Sequence, residues 1–138
     1  MVDGGRETIL GMTRDAQFGP VLMFGLGGIF VEVMKDVSIR LHPLTDVDAR
    51  SMIERIKGHP LLAGTRGEKA VDLRFLEESL LRLSQLVGDL EDDLAELDIN
   101  PLIVTADRKS SFVVDARIAL ATDTTGRRRS SGAPTGSR

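Results

Sequence analysis

Leu73, Leu76, Leu80, Leu83, Val87 and Leu90 recur at spacings of three and four, the period of one face of an α-helix. A leucine stripe of this length also suits a coiled coil, but one amphipathic helix lying on a sheet is the simpler solution. A second helix is expected in "TDVDARSMIERIKG". Thr45 is a natural N-cap, Asp46 and Asp48 suit the first turn, and Gly58 suits the stop. Met52, Ile53 and Ile56 form its buried stripe. Between the two helices, "HPLLAGTRGEKAVD" (59–72) is rich in helix breakers and reads as a loop.

Elsewhere the period shortens to two. "ETILGMTRD" (7–15) and "PVLMFGL" (20–26) read as strands around a turn at Asp15 to Gly19. "IFVEV" (29–33) and "VSIRLH" (37–42) read as two more. Ile29, Val31 and Val33 share one face of the former, and Phe30 and Glu32 the other. Val37, Ile39 and Leu41 share one face of the latter, opposite Ser38, Arg40 and His42. The apolar sets coincide across a hairpin if Met34 to Asp36 form an odd loop, which sets Glu32 opposite Ser38 and diagonal to Arg40 on a polar stripe. "LAELDINPLIVT" (94–105) and "SFVVDARIA" (111–119) are the last two strands, with "ADRK" as their turn. Four strands, two helices and two strands predict an α+β layer: a mostly antiparallel sheet with two helices packed on one face.

A chain of 138 residues suits one domain, and the absence of cysteine excludes disulfides, thiolate metal sites and thiol nucleophiles. "MVDGGRETIL" lacks the basic and apolar regions of a secretory signal, and the longest apolar stretch, "FGPVLMFGLGGIFVEVM", is too short to span a bilayer. A soluble, cytoplasmic protein with no membrane partner is expected. Charge is uneven. Of the net −3, residues 121–138 carry +3 and residues 1–120 carry −6. An acidic body is a poor nucleic-acid platform. The tail is rich in Ser, Thr, Gly and Pro, and is expected to be a disordered basic segment. Arg127 to Arg129 could meet an anionic surface, though a solvated tail explains them as well.

Two places carry candidate chemistry. "FGLGGIFVEV" sets Gly25, Gly27 and Gly28 just ahead of Glu32. Glycines let a backbone approach a phosphate, and a nearby carboxylate suits a cation, but plain turns use the same residues. The final hairpin is more informative. Asp98, Asn100, Leu102 and Val104 share one strand face, and Ser111, Val113 and Asp115 share one face of the next. An even loop sets Val104 opposite Ser111, Leu102 opposite Val113 and Asn100 opposite Asp115. Opposed Cβ atoms lie about 4.5–5.5 Å apart, close enough for an amide oxygen and a carboxylate to hold one Mg²⁺. Asp98 could add a third oxygen. Polar residues on the wet side of a sheet give the same pattern, so spacing alone leaves both readings open.

The block "TRDAQFGPVLMFGLGGIFVEVMKDVSIRLHPL", followed by "ELDINPLIV" and "VVDARI", resembles the C-terminal part of the ATP-grasp domain of NDP-forming acyl-CoA synthetases, the acetate–CoA ligases (ADP-forming) and relatives of the succinyl-CoA synthetase β subunit. The resemblance covers about residues 5 to 120 and implies an ATP-grasp C-terminal lobe over residues 1–120. It implies that Asn100 and Asp115 hold the magnesium of ATP or ADP and that Asp98 lies near a phosphohistidine during phosphoryl transfer. Where related enzymes have glutamate, this chain has the shorter Asp98. Gly25, Gly27, Gly28, Glu32 and Arg40 would support the triphosphate. The implied mechanism is a relay in which a histidine carries the phosphoryl group between the nucleotide and an acyl phosphate on the way to acyl-CoA.

The resemblance also implies partners: a preceding ATP-grasp lobe and a CoA-binding domain or subunit that carries the phosphohistidine. Neither His42, before Pro43 at a strand end, nor His59, before Pro60 after a helix stop, stands where the relay histidine is expected. The chain is thus expected to be one piece of a ligase, inactive alone. The alternatives are a regulatory synthetase-like module of a protein lysine acetyltransferase and a non-catalytic remnant.

Overall fold

A hairpin of alternating residues begins the fold: β1 (Arg6–Asp15) runs into β2 (Gly19–Leu26), paired from Thr8↔Leu26 to Asp15↔Gly19. The Asp15 carboxylate accepts the backbone N–H groups of Gln17 and Phe18 at 2.7 and 3.0 Å, and Gly19 takes φ +81°, so the turn at these residues is chemically specified. The computed structural model describes residues 5–28, 36–64, 67 and 69–121.

After β3 (Val37–Leu41) come three helices, α1 (Asp46–Arg55), α2 (His59–Ala63) and α3 (Leu73–Asp89). The chain then forms β4 (Leu94–Val104), β5 (Phe112–Val113) and β6 (Ala116–Leu120). The sheet order is β3-β2-β1-β4-β5, β6 also pairs with β4, and every pairing among the described residues is antiparallel. This is the expected α+β architecture, with the helices on one face.

The core lies between that face and the helices. Leu10 and Met12 of β1, Leu22, Phe24 and Leu26 of β2, and Leu97 and Leu102 of β4 pack against Met52 and Ile53 of α1 and against Leu76, Leu80, Leu83 and Val87 of α3. The leucine stripe is therefore the inner face of a helix on a sheet, and Leu76 and Leu80 are fully buried. Asp72 caps α3, its carboxylate accepting the N–H of Phe75 at 2.9 Å. Thr45 caps α1 in a capping box with Asp48, satisfying donors that the first turn leaves unpaired.

Three local expectations change. Residues 59–72 are not all loop: α2 forms a single turn with Pro60 at its start, where a missing N–H costs nothing. Helix α1 ends at Arg55 rather than Gly58, and Gly58 instead packs against Leu26 too closely for a side chain. The largest change is in β3, whose faces are reversed. Ile39 and Leu41 are 53% and 51% exposed, whereas Ser38 is buried. Register decides this: Phe24 pairs with Ser38 and Leu22 with Arg40, so these polar residues share the face that Phe24 and Leu22 bury. The polar side chains have work there. Ser38 Oγ donates to the Met52 carbonyl at 2.6 Å, one of the α1 end carbonyls with no helical partner. Arg40 donates to Ser51 Oγ at 3.0 Å. The described partner of β3 is β2; the expected strand 29–33, with Glu32, lies outside the described residues, as does the tail 122–138.

Candidate functional site

Strand β4 changes faces midway along its length. Leu97 and Ile99 point toward the helices and Asp98 away from them, but Leu102 and Val104 are again in the core. Two residues of one strand parity and two of the other can share a face only if the alternation slips between them. It does: the β1 register moves from Leu10↔Ile99 to Thr8↔Leu102, so Asn100 and Pro101 together oppose Ile9. This is a β-bulge, a device that re-aims side chains. Pro101, with no N–H to contribute to a ladder, suits the position. The expectation that Leu102 and Val104 share a face with Asp98 is therefore corrected, whereas Asp98 and Asn100 do face the same pocket.

On the other side of β4, the register is continuous from Leu102↔Val113 to Asp98↔Arg117, although the ladder is formally divided between β5 and β6. Asn100 falls opposite Asp115 in this register, and its N–H donates to the Asp115 carbonyl at 3.0 Å. The side chains of Asp98, Asn100, Asp115 and Arg117 together line a cavity of about 190 Å³ on the sheet face away from the helices. None of the four side chains is hydrogen-bonded or ion-paired to another described residue. A larger cavity of about 540 Å³ adjoins it, sharing Asp98 and Arg117 and extending past Gly11, Thr13 and Met23. A Cβ on Gly11 would stand 3.0 Å from the Leu97 carbonyl oxygen, so glycine keeps this floor flat.

The donor set fits a hard cation. Asn100 offers an amide oxygen and Asp115 a carboxylate, with Asp98 beside them. Among the described residues no three His, Asp or Glu side chains converge as a closed metal cage. Mg²⁺ seldom needs one: it is commonly held by one or two carboxylates, waters and the phosphates of a substrate.

The remaining expected site residues that the structure describes are not drawn into this pocket. Gly25 lies where β3 begins, and a Cβ there would meet the Asp36 carbonyl oxygen at 2.8 Å and Val37 Cγ1 at 2.9 Å. Gly27 donates to the Glu7 carbonyl at 2.8 Å, and Gly28 adopts φ +67°. Each glycine thus meets a requirement of the backbone itself. Arg40 lies on the helix side of the sheet with its guanidinium on Ser51, and Glu32 lies outside the described residues. His42 meets the Ser84 carbonyl at 2.9 Å and His59 the Ile53 carbonyl at 3.2 Å, structural positions as expected for both. The residue that sequence reasoning missed is Arg117. The signal was present, because a residue two positions after Asp115 in a paired strand returns to the same face, directly opposite Asp98.

A family model of the ATP-grasp domain matches residues 1–120. The chain belongs to the ATP-grasp family. Over 120 residues it is 52% identical to the β subunit of acetate–CoA ligase (ADP-forming) II of Pyrococcus furiosus, an alignment covering 87% of this chain and 51% of that protein. A crystal structure of a protein from Pyrococcus horikoshii superposes with a TM-score of 0.80 at 49% identity, covering 88% of this chain and 51% of that one. A dinucleotide-forming acetyl-coenzyme A synthetase of Candidatus Korarchaeum cryptofilum superposes with a TM-score of 0.77 at 46% identity, over 85% of this chain and 54% of that chain. That structure contains coenzyme A and Mg-AMPPCP, and its phosphohistidine segment points towards the nucleotide-binding site. This ATP-grasp chain thus spans about half the length of these three proteins.

Proposed function

We propose that this chain forms the magnesium–nucleotide face of an ADP-forming acyl-CoA ligase, acting with a further ATP-grasp lobe and with a CoA-binding domain or subunit that carries the phosphohistidine. The observation that carries the reading is the meeting of Asn100 and Asp115 across β4 and its partner strand, with Asp98 and Arg117 in the same small cavity. Two unpaired carboxylates and a free amide on one cavity serve no packing purpose, which favours ligand binding over a non-catalytic remnant.

Asn100 and Asp115 would hold the magnesium of ATP or ADP, and the ion, when bound, draws charge off the phosphates. Strand geometry supplies the rest. Asn100 lies on β4 and Asp115 in the short break between β5 and β6, and the backbone hydrogen bond between them holds the two side chains side by side, positioning being the main task of a phosphoryl-transfer site. Asp98, one position along on the same face, stands where it can orient the group that exchanges the phosphoryl with the nucleotide. The exposure of Asn100, Asp115 and Arg117 agrees with a face that another lobe covers during the reaction.

Titration calorimetry of the full chain with ADP tests this reading. Heat is expected with millimolar magnesium present and is lost on chelation with EDTA. No magnesium-dependent heat at millimolar nucleotide contradicts it.

A further inference from the structure

Resting on the reading above, we infer that Arg117 binds a phosphate group of the nucleotide, taking oxygens that the metal leaves free. Arg117 and Asp98 are directly opposed across β4 and β6. Opposed Cβ atoms in such a pair lie about 4.5–5.5 Å apart, well within reach of an ion pair. No ion pair forms. Elsewhere in the molecule an arginine given the opportunity takes it: Arg108 reaches Glu78 at 3.1 Å and Asp72 at 3.4 Å. Arg117 instead lines both cavities, and it is the one cation among the described residues that line either of them.

Charge explains why a cation is wanted there. Asp98 and Asp115 give the smaller cavity two negative charges, which repel a polyphosphate. A divalent ion cancels them but leaves nothing over for the nucleotide. Arg117 tips the sum over the smaller cavity to positive and offsets Glu96, which lines the larger one. Its guanidinium also offers paired N–H donors in a planar fork, which matches two oxygens of one phosphate in a way that an ion cannot. Two residues along an extended strand span about 7 Å, so Arg117 meets the polyphosphate beside the Asn100 and Asp115 position rather than at it.

The test is ³¹P NMR titration of Mg-AMPPCP with the full chain, compared with Arg117→Gln, Arg117→Lys and Asp115→Ala. Arg117 is exposed, so the substitutions should leave the fold unchanged, as matching melting temperatures would show. Loss of one charge-assisted phosphate contact should weaken binding by about 10- to 100-fold in Arg117→Gln, with partial recovery in Arg117→Lys. Parent-like affinity in Arg117→Gln alongside weakened binding in Asp115→Ala overturns the role of Arg117 and leaves the metal reading standing. Failure of the parent chain to bind Mg-AMPPCP at all overturns both.

Discussion

The backbone N–H of Asn100 donates to the carbonyl of Asp115 at 3.0 Å, and the side chains of both residues open into one cavity. Fifteen residues apart in the chain, they are held side by side by the ladder that joins β4 to its neighbour. The pair depends on strand register, and so on the hydrophobic pattern of the whole sheet.

Gly25 should behave as a packing residue. An alanine methyl there would collide with the Asp36 carbonyl and with Val37, at 2.8 and 2.9 Å, and backbone cannot swing aside as a flexible side chain can. Gly25→Ala is expected to lower the melting temperature by several degrees. Unchanged melting together with weakened nucleotide binding would make Gly25 a phosphate-approach position instead.

Leu80 tests the core. It is fully buried on α3, inside the cluster shared with β1 and β2. Truncation to alanine should cost about 2–5 kcal/mol, read from urea unfolding. A midpoint equal to that of the parent would mean that this face of α3 is not packed on the sheet.

Acid should loosen the start of α1. The Asp48 carboxyl is held below its usual range chiefly by the hydrogen bond from the Thr45 backbone N–H, and secondarily by the Thr45 side chain. A carboxyl with a depressed folded pKa stabilises the fold above its unfolded value, here 3.8, and that stabilisation disappears as pH falls through the folded value. Asp48→Ala is therefore expected to lower the melting temperature slightly near neutral pH and not at about pH 2. The effect is small because Asp48 is still partly open to solvent. An equal shift at both pH values would assign the loss to helix propensity rather than charge.

Much of this was legible in the chain itself. The leucine spacing gave α3, Thr45 gave the start of α1, and counting residues across the last turn brought Asn100 to Asp115. What stayed hidden depended on neighbours distant in sequence. Residues 37–41 read as having an apolar face and a polar face, and the natural choice buries the apolar one. The structure buries Ser38 because β2 sets the register and because the end of α1 needs a donor for the Met52 carbonyl. The bulge at Asn100–Pro101 was equally invisible, since it is defined by the pairing with β1, and without it Leu102 would have no place in the core. Arg117 is readable from the same register as Asp115, two residues further along the same face and opposite Asp98.

The most direct measurement is a double-mutant cycle on Mn²⁺ affinity, read by electron paramagnetic resonance with ADP present, for Asn100→Ala, Asp115→Ala and the double variant. If both side chains grip one ion, each single change weakens Mn²⁺ binding at unchanged melting temperature, and the double loss falls well short of the sum. If either single variant binds Mn²⁺ as tightly as the parent, the two residues do not share a metal and the account fails.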